Sequence, residues 1–190
     1  MILVAPSLDR LPAYAAALRL GFWSDNLRRA QSREEELAKI AADPAAFVAS
    51  LDNRAGNAGP ITLPDGTQVK RLPGFRRWMW DEESDDGFCG NIGFRSKPGT
   101  AELPDYVLGH IGYAVVPWKQ RRGYASAALG LMLAEARKEG LPWVELTTDP
   151  DNEPSQKVIT NNGGVFVERF RAVPGHGGKE ELRWRIQLRV

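Results

Sequence analysis

The chain has 190 residues and a formal net charge of +1, with 43% hydrophobic and 26% charged residues. These values are typical of one globular domain with a real core, and a net charge near zero gives no support to a nucleic-acid partner. The single cysteine, Cys89, excludes an internal disulfide, and no apolar run reaches the roughly 18 residues of a membrane span, so we expect a cytoplasmic protein that does not enter a membrane.

The N-terminal part predicts one strand followed by helices. Residues 1–5 are apolar, but they lack a basic start and are too short for a signal peptide, so they predict a first strand. Apolar residues at helical spacing over 11–18 predict a first helix. Ser32 followed by Glu35 resembles a capping box and predicts the start of a second helix. A third helical stretch covers residues 44–51.

The middle of the chain predicts strands joined by turns. Residues 64–66, Pro-Asp-Gly, are a strong turn signal, and residues 76–80 and 88–94 have the composition of sheet strands. Arginine and tryptophan interleave in the first of these strands, as they do in sites that stack single-stranded nucleic acid. No wider basic surface is visible, so an amphipathic sheet strand is favoured.

An acidic run lies between these two strands. Residues 81–86 hold five acids in six positions. Such a run predicts the solvated tip of a hairpin. The alternative is that its charge attracts a cationic amine to the mouth of a site.

The chain is organised around residues 108–139. Residues 110–116 are apolar and β-branched and predict a mostly buried strand, which Pro117 ends because proline offers no N–H to a ladder. Residues 119–125 form a basic turn that ends in small residues. The helix that follows is predicted from apolar residues at i, i+3, i+4 and i+7, which are Leu129, Met132, Leu133 and Ala136.

A strand, a small-residue turn and a helix together can hold an anion. The first N–H groups of a helix have no internal partner, and the helix dipole adds about half a positive charge at that end. Gly123 and Ala125 let a phosphate approach the backbone, and Arg121 and Arg122 can add charge-assisted hydrogen bonds. The alternative is a plain connection with a solvated basic turn. The P-loop and dinucleotide-binding patterns fit worse, because the Gly-Lys-Ser/Thr of a P-loop is absent and only one glycine of the dinucleotide pattern, Gly123, is present.

The rest of the chain predicts three strands and one short helix. The first strand is expected to run parallel to residues 110–116, reached by a right-handed crossover through the long helix. Asp151 or Asn152 is expected to cap the short helix. The four elements are predicted at residues 143–148, 153–161, 165–173 and 181–188.

Two blocks carry a resemblance to a known family. Residues 120–125, Gln-Arg-Arg-Gly-Tyr-Ala, match the Gln/Arg-x-x-Gly-x-Gly/Ala signature of the Gcn5-related N-acetyltransferases, the GNAT superfamily. Asn152, Ser155 and Val158, followed by Asn-Gly-Gly at 162–164, resemble its motif B. The resemblance covers residues 108–167 well and the rest loosely. It is strongest to a group of bacterial predicted acetyltransferases without a settled substrate.

The resemblance implies a single α/β (α+β) domain with a GNAT-like mixed, strongly twisted central sheet of six to seven strands and helices on both faces. Residues 1–107 would supply N-terminal strands and the helices of the acceptor side. Residues 108–167 would form the coenzyme A-binding core, and residues 168–190 the C-terminal strands. Coenzyme A would lie where two parallel strands splay apart, and its amides would extend the exposed edge of the central strand.

The resemblance also implies acetyl-CoA as the cofactor, coenzyme A as a product, and no metal. The amides of the turn would bind the pyrophosphate, and Asn152 would bond the pantetheine arm or order the loop beside it. The alternative for Asn152 is a helix cap alone. The implied cofactor-binding residues are Val115, Val116, Gln120, Arg121, Arg122, Gly123, Tyr124, Ala125, Ser126, Asn152 and Ser155.

The catalytic candidates follow from two departures. Many members carry a tyrosine seven residues after the motif B asparagine, where it protonates the leaving thiolate, but this chain has Ile159. Histone-type members place a glutamate base where this chain has Gly109, with His110 beside it. His110 could deprotonate an ammonium through water. Glu145 is the next candidate base, and Ser155 could relay a proton. The alternative for His110 is a strand histidine satisfied by backbone groups.

The expected function is transfer of an acetyl group from acetyl-CoA to an amine by direct attack in a ternary complex. The acceptor would be a small molecule or a peptide, and the protein a monomer or a homodimer. The alternatives are transfer of a longer acyl group and a non-catalytic acyl-CoA sensor, which the absence of the tyrosine would allow. The acceptor pocket is expected among the N-terminal helices and residues 62–97, where no motif is recognised.

Overall fold

The computed structural model describes residues 1–188, and residues 189–190, which the sequence places in the C-terminal strands, lie outside the described part. The described residues form ten strands and five α-helices, with short 3-10 helices at Pro117–Lys119 and Pro174–His176. In chain order the elements are β1 (Ile2–Val4), α1 (Leu11–Arg19), α2 (Arg29–Ala42), α3 (Pro44–Ser50), β2 (Asp52–Asn53), β3 (Ile61–Thr62), β4 (Gln68–Val69), β5 (Gly74–Trp80), β6 (Phe88–Arg95), β7 (Ile111–Val115), α4 (Tyr124–Lys138), β8 (Trp143–Thr148), α5 (Glu153–Asn161), β9 (Val165–Arg171) and β10 (Glu180–Gln187).

Five strands form the larger sheet. β1, β5, β6 and β7 lie side by side in that order, and β2 pairs with the start of β5. All four pairings are antiparallel. The N-terminal residues therefore supply a strand, as their composition predicts, with Val4 opposite Trp78. β3 and β4 form a separate two-stranded hairpin.

A second sheet has the order β8-β10-β9 and is joined to the first by one main-chain hydrogen bond in the described residues. There the His110 N–H donates to the Glu145 carbonyl oxygen at 2.7 Å. A Cβ at residue 109 would lie 2.9 Å from the same oxygen, so the approach requires Gly109. Beyond this junction no ladder joins β7 to β8 within residues 1–188. The α/β class is confirmed, but the sheet predicted with six to seven strands is divided in two.

Helices cover both faces of the larger sheet. Side chains alternate along a strand, so the neighbours Trp78 and Met79 face opposite ways. Trp78 lies in the core formed with α1 to α3, where Tyr14 stacks on it with ring centroids 5.0 Å apart. Met79 lies in the core formed with α4, which buries Leu129 and Met132 completely. The amphipathic spacing that predicts α4 therefore corresponds to burial against the sheet.

The start of α2 differs from the sequence expectation. The helix begins at Arg29, and Ser32 lies inside it, with its hydroxyl donating to the Arg29 carbonyl at 2.9 Å. The Asp25 carboxylate instead accepts from the N–H groups of Leu27 and Arg28, at 2.8 and 3.1 Å. The capping box predicted at Ser32 is therefore wrong, because the helix has already begun at Arg29 and Ser32 lies within its first turns.

His110 holds the junction between the two sheets. Its side chain is fully buried, its Nδ1 accepts a hydrogen bond from the Glu145 N–H at 3.0 Å, and its ring packs edge-on against Trp143. Burial lowers the pKa of His110 to about 4. The native imidazole is therefore neutral near pH 7, and its proton lies on Nε2 because Nδ1 is an acceptor.

We expect His110 to make the fold less stable in acid. The pKa of a histidine in the unfolded chain is about 6.5, against about 4 in the native chain. Between these values the unfolded chain binds a proton that the native chain does not. Stability should therefore fall as the pH drops through this window, by up to about 3 kcal/mol.

Urea unfolding at several pH values between 7 and 4 measures this effect in the wild type and in His110→Gln. The gap in unfolding free energy between the two proteins should shrink toward pH 4, because other titrating groups contribute equally to both. A gap that stays constant with pH would contradict the buried neutral imidazole.

Candidate functional site

The turn before α4 presents backbone amides to solvent. Gly123 is the N-cap of α4, with φ of +82° and no side-chain cap, and Arg121 also has a positive φ of +64°. The first main-chain bond of the helix runs from the Ala127 N–H to the Gly123 carbonyl at 3.1 Å. Among the described residues the amides of Tyr124, Ala125 and Ser126 have no acceptor. A Cβ on Gly123 would meet nothing within 4 Å, so an anion has room to approach.

The acidic run of residues 81–86 fixes this turn. The buried Lys119 ammonium forms an ion pair with Asp86 and donates to the Phe88 carbonyl at 2.9 Å. The Tyr124 hydroxyl donates to Asp81 at 2.6 Å, and this bond raises the pKa of Tyr124. The run does form a hairpin tip between β5 and β6, but Asp81 and Asp86 are not merely solvated. Lys119 points into the protein, so Arg121 and Arg122 carry the charge of the turn.

Within residues 1–188, one edge of β7 is not paired with another strand. The Val116 N–H donates to the Cys89 carbonyl at 3.0 Å, so the alternate residues Gly112, Ala114 and Val116 face β6. The carbonyls of Tyr113 and Val115 face the other way and accept side-chain bonds, from Asn26 at 3.1 Å and from Gln120 at 3.3 Å. The predicted exposed edge is thus present at Tyr113 and Val115, whereas the Val116 amide is already bonded within the sheet.

α5 is tied to both of these elements. The Asn152 side chain caps α5 by accepting from the Ser155 N–H at 3.2 Å. The Tyr113 hydroxyl donates to the Ser155 carbonyl at 3.4 Å, which joins β7 to the first turn of α5. Burial raises the pKa of Tyr113 to about 12, so its phenol stays protonated at neutral pH. Tyr113 and Ser155 are therefore the hydroxyl-bearing residues that lie together where β7 meets α5.

Asn162 makes a connection that the sequence pattern did not assign. Its side-chain amide donates to the backbone carbonyl and the hydroxyl of Ser126, at 3.1 and 3.2 Å, and to the Val158 carbonyl at 2.9 Å. A Cβ on Gly130 would lie 3.2 Å from its amide oxygen, so α4 and α5 pack closely there. The sequence pattern places residues 162–164 in the resemblance to motif B but assigns Asn162 no contact with α4. An asparagine before two glycines was the available signal.

The two predicted bases are used structurally. The Glu145 carboxylate is buried and accepts from Arg183 at 2.9 Å and from Arg185 at 2.7 and 3.2 Å. The acceptor nitrogen of His110 already binds the Glu145 amide. The Glu145 carboxylate is thus paired with two arginines, and the acceptor nitrogen of His110 is bonded to the backbone, although its Nε2 is buried without a partner in the described chain. Ser155 lies apart from this pair, in the first turn of α5.

Ile159 lies in the hydrophobic core. It is only 1% exposed, and a Cβ on Gly164 would approach its methyl group to 2.3 Å. A tyrosine at this position would therefore overpack the core and could not reach a thiolate without displacing its neighbours. For this reason Ile159→Tyr is not expected to restore a proton donor while leaving the protein intact.

Two further possibilities are addressed by the described residues. Within residues 1–188 no group of three or more histidine, cysteine or acidic side chains is placed to hold a metal ion. No α-helix in this part of the chain is long and apolar enough to cross a bilayer.

Known structures share this architecture. A protein from Bordetella pertussis described as a GNAT-family acetyltransferase superposes with a TM-score of 0.59 at 16% identity, covering 97% of this chain and 93% of that one. A mutant of spermidine N-acetyltransferase SpeG from Vibrio cholerae gives a TM-score of 0.59 at 13% identity, covering 99% and 95%. RimL, a ribosomal L7/L12 α-N-protein acetyltransferase solved with coenzyme A, gives 0.60 at 14%, covering 98% and 93%. At these identities the likeness shows the fold alone.

No curated protein matches this sequence. The family model for the acetyltransferase (GNAT) domain does match it, over residues 26–165. That span includes the turn before α4, the edge of β7 and the first turn of α5. The chain therefore belongs to the GNAT acetyltransferase family.

Proposed function

We propose that this protein transfers an acetyl group from acetyl-CoA to an amine within a ternary complex. The observation that carries the proposal is a pair of backbone surfaces that no helix or strand hydrogen bond occupies. One is the first turn of α4, whose amides lack acceptors in the described chain. The other is the edge of β7 at Tyr113 and Val115, which no strand covers in residues 1–188.

These surfaces fit the two chemically distinct parts of coenzyme A. The amides of residues 124–126 and the side chains of Arg121 and Arg122 would hold the pyrophosphate. The amides of the pantetheine arm would add to the β7 edge as a short strand. For this the side chains of Asn26 and Gln120 would have to release the carbonyls that they now bond. Asn152 would keep its cap and turn its side-chain NH₂ group toward the arm.

The group bound there would supply an acetyl carbon activated as a thioester. The acceptor nitrogen would attack that carbonyl carbon, the C–S bond would break, and the sulfur would leave as a thiolate that takes up a proton. The β7 edge would hold the carbonyl in place and shield it from water. A thiol pKa of about 8.5 makes the thiolate a fair leaving group, so correct positioning of the amine against the thioester can supply much of the rate acceleration.

The proton of the amine must still be removed. Because the acceptor nitrogen of His110 is bonded and the Glu145 carboxylate is paired with two arginines, we propose that bulk water takes this proton. Tyr113 is the proposed proton donor to the departing sulfur, since its phenol is protonated and lies at the join of β7 and α5. Ser155 would support it from the first turn of α5.

Binding of acetyl-CoA should depend on Gly123. A ligand at 100 times its dissociation constant adds about 2.7 kcal/mol of stability, so acetyl-CoA should raise the Tm measurably. Gly123→Glu should abolish this rise by placing a carboxylate where the phosphates bind. Gly140→Glu is the matched control, because Gly140 also has a positive φ (+74°) with nothing near its Cβ position, but lies beyond the other end of α4. An equal rise in Tm for both variants would remove the basis of the proposal.

The two roles proposed for Asn152 can be separated by a pair of variants. Asn152→Ala loses the cap and should cost about 0.5–2 kcal/mol of stability, together with affinity for acetyl-CoA. Asn152→Asp keeps a capping oxygen but loses the NH₂ donor, so it should retain stability and still bind acetyl-CoA more weakly. Chemical unfolding and calorimetric titration give the two readouts. Unchanged affinity in Asn152→Asp would show that the residue is a cap alone.

Proton donation by Tyr113 should appear in turnover and not in binding. General acid catalysis is typically worth about 10²–10⁴-fold, so Tyr113→Phe should lower kcat by at least about tenfold and leave the Tm rise from acetyl-CoA unchanged. Ser155→Ala should have a smaller effect. Release of free thiol in the presence of an accepted amine measures the turnover of both variants. The rate should rise with pH as the amine loses its proton.

Full turnover in Tyr113→Phe would exclude Tyr113 as the proton donor. Binding of the thioester without transfer to any amine would instead favour an acyl-CoA sensor.

A further inference from the structure

The face of the larger sheet that looks toward α1 and α2 has a depression over two adjacent glycines. Gly93 of β6 lies opposite both Arg76 of β5 and Gly112 of β7, so the three share one face. This is the face of α2 and not of α4, because Arg76 bonds Glu36 on α2 whereas the next residue, Arg77, bonds Glu135 on α4. Two neighbouring positions without side chains leave the backbone of the sheet as the floor.

The helices do not fill this depression. A Cβ on Gly93 would meet only one atom within 4 Å, the Phe75 carbonyl oxygen at 3.7 Å. A Cβ on Gly112 would meet only a guanidinium nitrogen of Arg95, at 3.1 Å. No side chain from α1 or α2 therefore comes within 4 Å of either Cβ position, and the Arg95 guanidinium lies over Gly112.

Two arginines, Arg76 and Arg95, border the depression. Within residues 1–188 no carboxylate lies within ion-pair distance of Arg95 or of Arg71, whereas Arg76 has Glu36 at 3.0 Å. Burial, and after it the positive charge of Arg76, lower the pKa of Arg71. The Nε of Arg71 is buried and has no partner in the described chain. The Arg95 guanidinium is thus left without a direct ion pair in the described chain; burial lowers its pKa, and the charge of Asp25 partly offsets this effect.

A buried neutral donor lies on the same face. Asn91 precedes Gly93 by two positions on β6, so its side chain points to the same side of the sheet. It is only 3% exposed, and its side-chain NH₂ has no hydrogen-bond partner among the described residues. An unpaired buried donor of this kind is costly in a folded protein unless a ligand or a water satisfies it.

The depression is next to the reacting edge. Gly112 is followed in β7 by Tyr113, whose carbonyl accepts from Asn26 in the segment between α1 and α2. A molecule held over Gly93 and Gly112 would therefore have one end on the arginines and the other beside the β7 edge. The Glu36 carboxylate, held by Tyr14, Ser24 and Arg76, fixes the direction of the Arg76 guanidinium.

We propose that this depression is the acceptor site and that its ligand is an amine that also carries an anionic group. Arg95 and Arg76 bind the anion, because two guanidinium groups match a carboxylate or a phosphate with paired charge-assisted hydrogen bonds. Asn91 donates to the same ligand. The inference rests on the proposed transfer reaction and adds to it the chemical class of the acceptor.

The test uses pairs of acceptors that differ only in the anion. Amino acids are compared with their C-terminal carboxamides, and glucosamine 6-phosphate with glucosamine, by release of free thiol from acetyl-CoA. The anionic member of at least one pair should have a kcat/KM at least about tenfold higher, which is the usual effect of one charge-assisted contact. The pair that shows the difference identifies the anion as a carboxylate or a phosphate. Equal kcat/KM values within every pair would overturn the proposal.

A variant connects the preference to the depression. Arg95→Gln should raise KM for the anionic acceptor by at least about tenfold, leave kcat within about twofold, and keep the Tm rise given by acetyl-CoA. Arg169→Gln, which removes an exposed arginine of β9, is the control and should change none of these values. An Arg95→Gln protein with the wild-type KM would overturn the proposal.

Binding without turnover separates this inference from the transfer reaction. The same amino acids and amino sugar phosphates are added to the protein with saturating coenzyme A, and the Tm is recorded. If no amine is acetylated, the transfer proposal fails, but the anion site still predicts a rise in Tm in the wild type that Arg95→Gln abolishes. An equal rise in both proteins, or no rise in either, would overturn the anion site.

Discussion

A single backbone hydrogen bond, from the His110 N–H to the Glu145 carbonyl, determines the shape of the candidate site. At this point Gly109 lets two strands approach so closely that no Cβ would fit, and beyond it no ladder joins them in residues 1–188. As a result, the backbone groups on the unpaired edge of β7 can bind another partner. Burial of the His110 ring stabilises the junction, and so do the hydrogen bonds that Arg183 and Arg185 donate to the Glu145 carboxylate. The groups that the sequence offers as bases therefore act as supports of the site.

The turn before α4 depends on a second set of contacts, which comes from a distant part of the chain. Lys119 is buried against Asp86, and Tyr124 bonds Asp81, so the hairpin between β5 and β6 orients the start of α4. Tyr113 and Asn162 then hold α5 against β7 and α4. Each anchor leaves the backbone amides of residues 124–126 facing outward. The anion-binding end is thus built by side chains that themselves point away from the proposed ligand.

Much of this could be predicted from local sequence signals. The strand, turn and helix over residues 110–138 follow from apolar periodicity and from Pro117 and Gly123, and Asn152 caps α5 as its residue type suggests. What could not be predicted depends on contacts far apart in sequence. The pairing of Lys119 with Asp86 and the clamp of Arg183 and Arg185 on Glu145 are of this kind. Ser32 fails as a cap because the helix has already begun at Arg29, after a turn in which Asp25 bonds the amides of Leu27 and Arg28.

The central claim is that coenzyme A binds along the β7 edge and on the first turn of α4. Amide hydrogen exchange with and without coenzyme A, resolved by residue, tests it most directly. The account predicts slower exchange on binding at Tyr113, Val115 and residues 124–126, since these amides lack ladder or helix acceptors and would gain them from the ligand. Exchange at the far end of α4, near Gly140, should not change. Coenzyme A binding that protects neither the β7 edge nor the start of α4 would contradict the account.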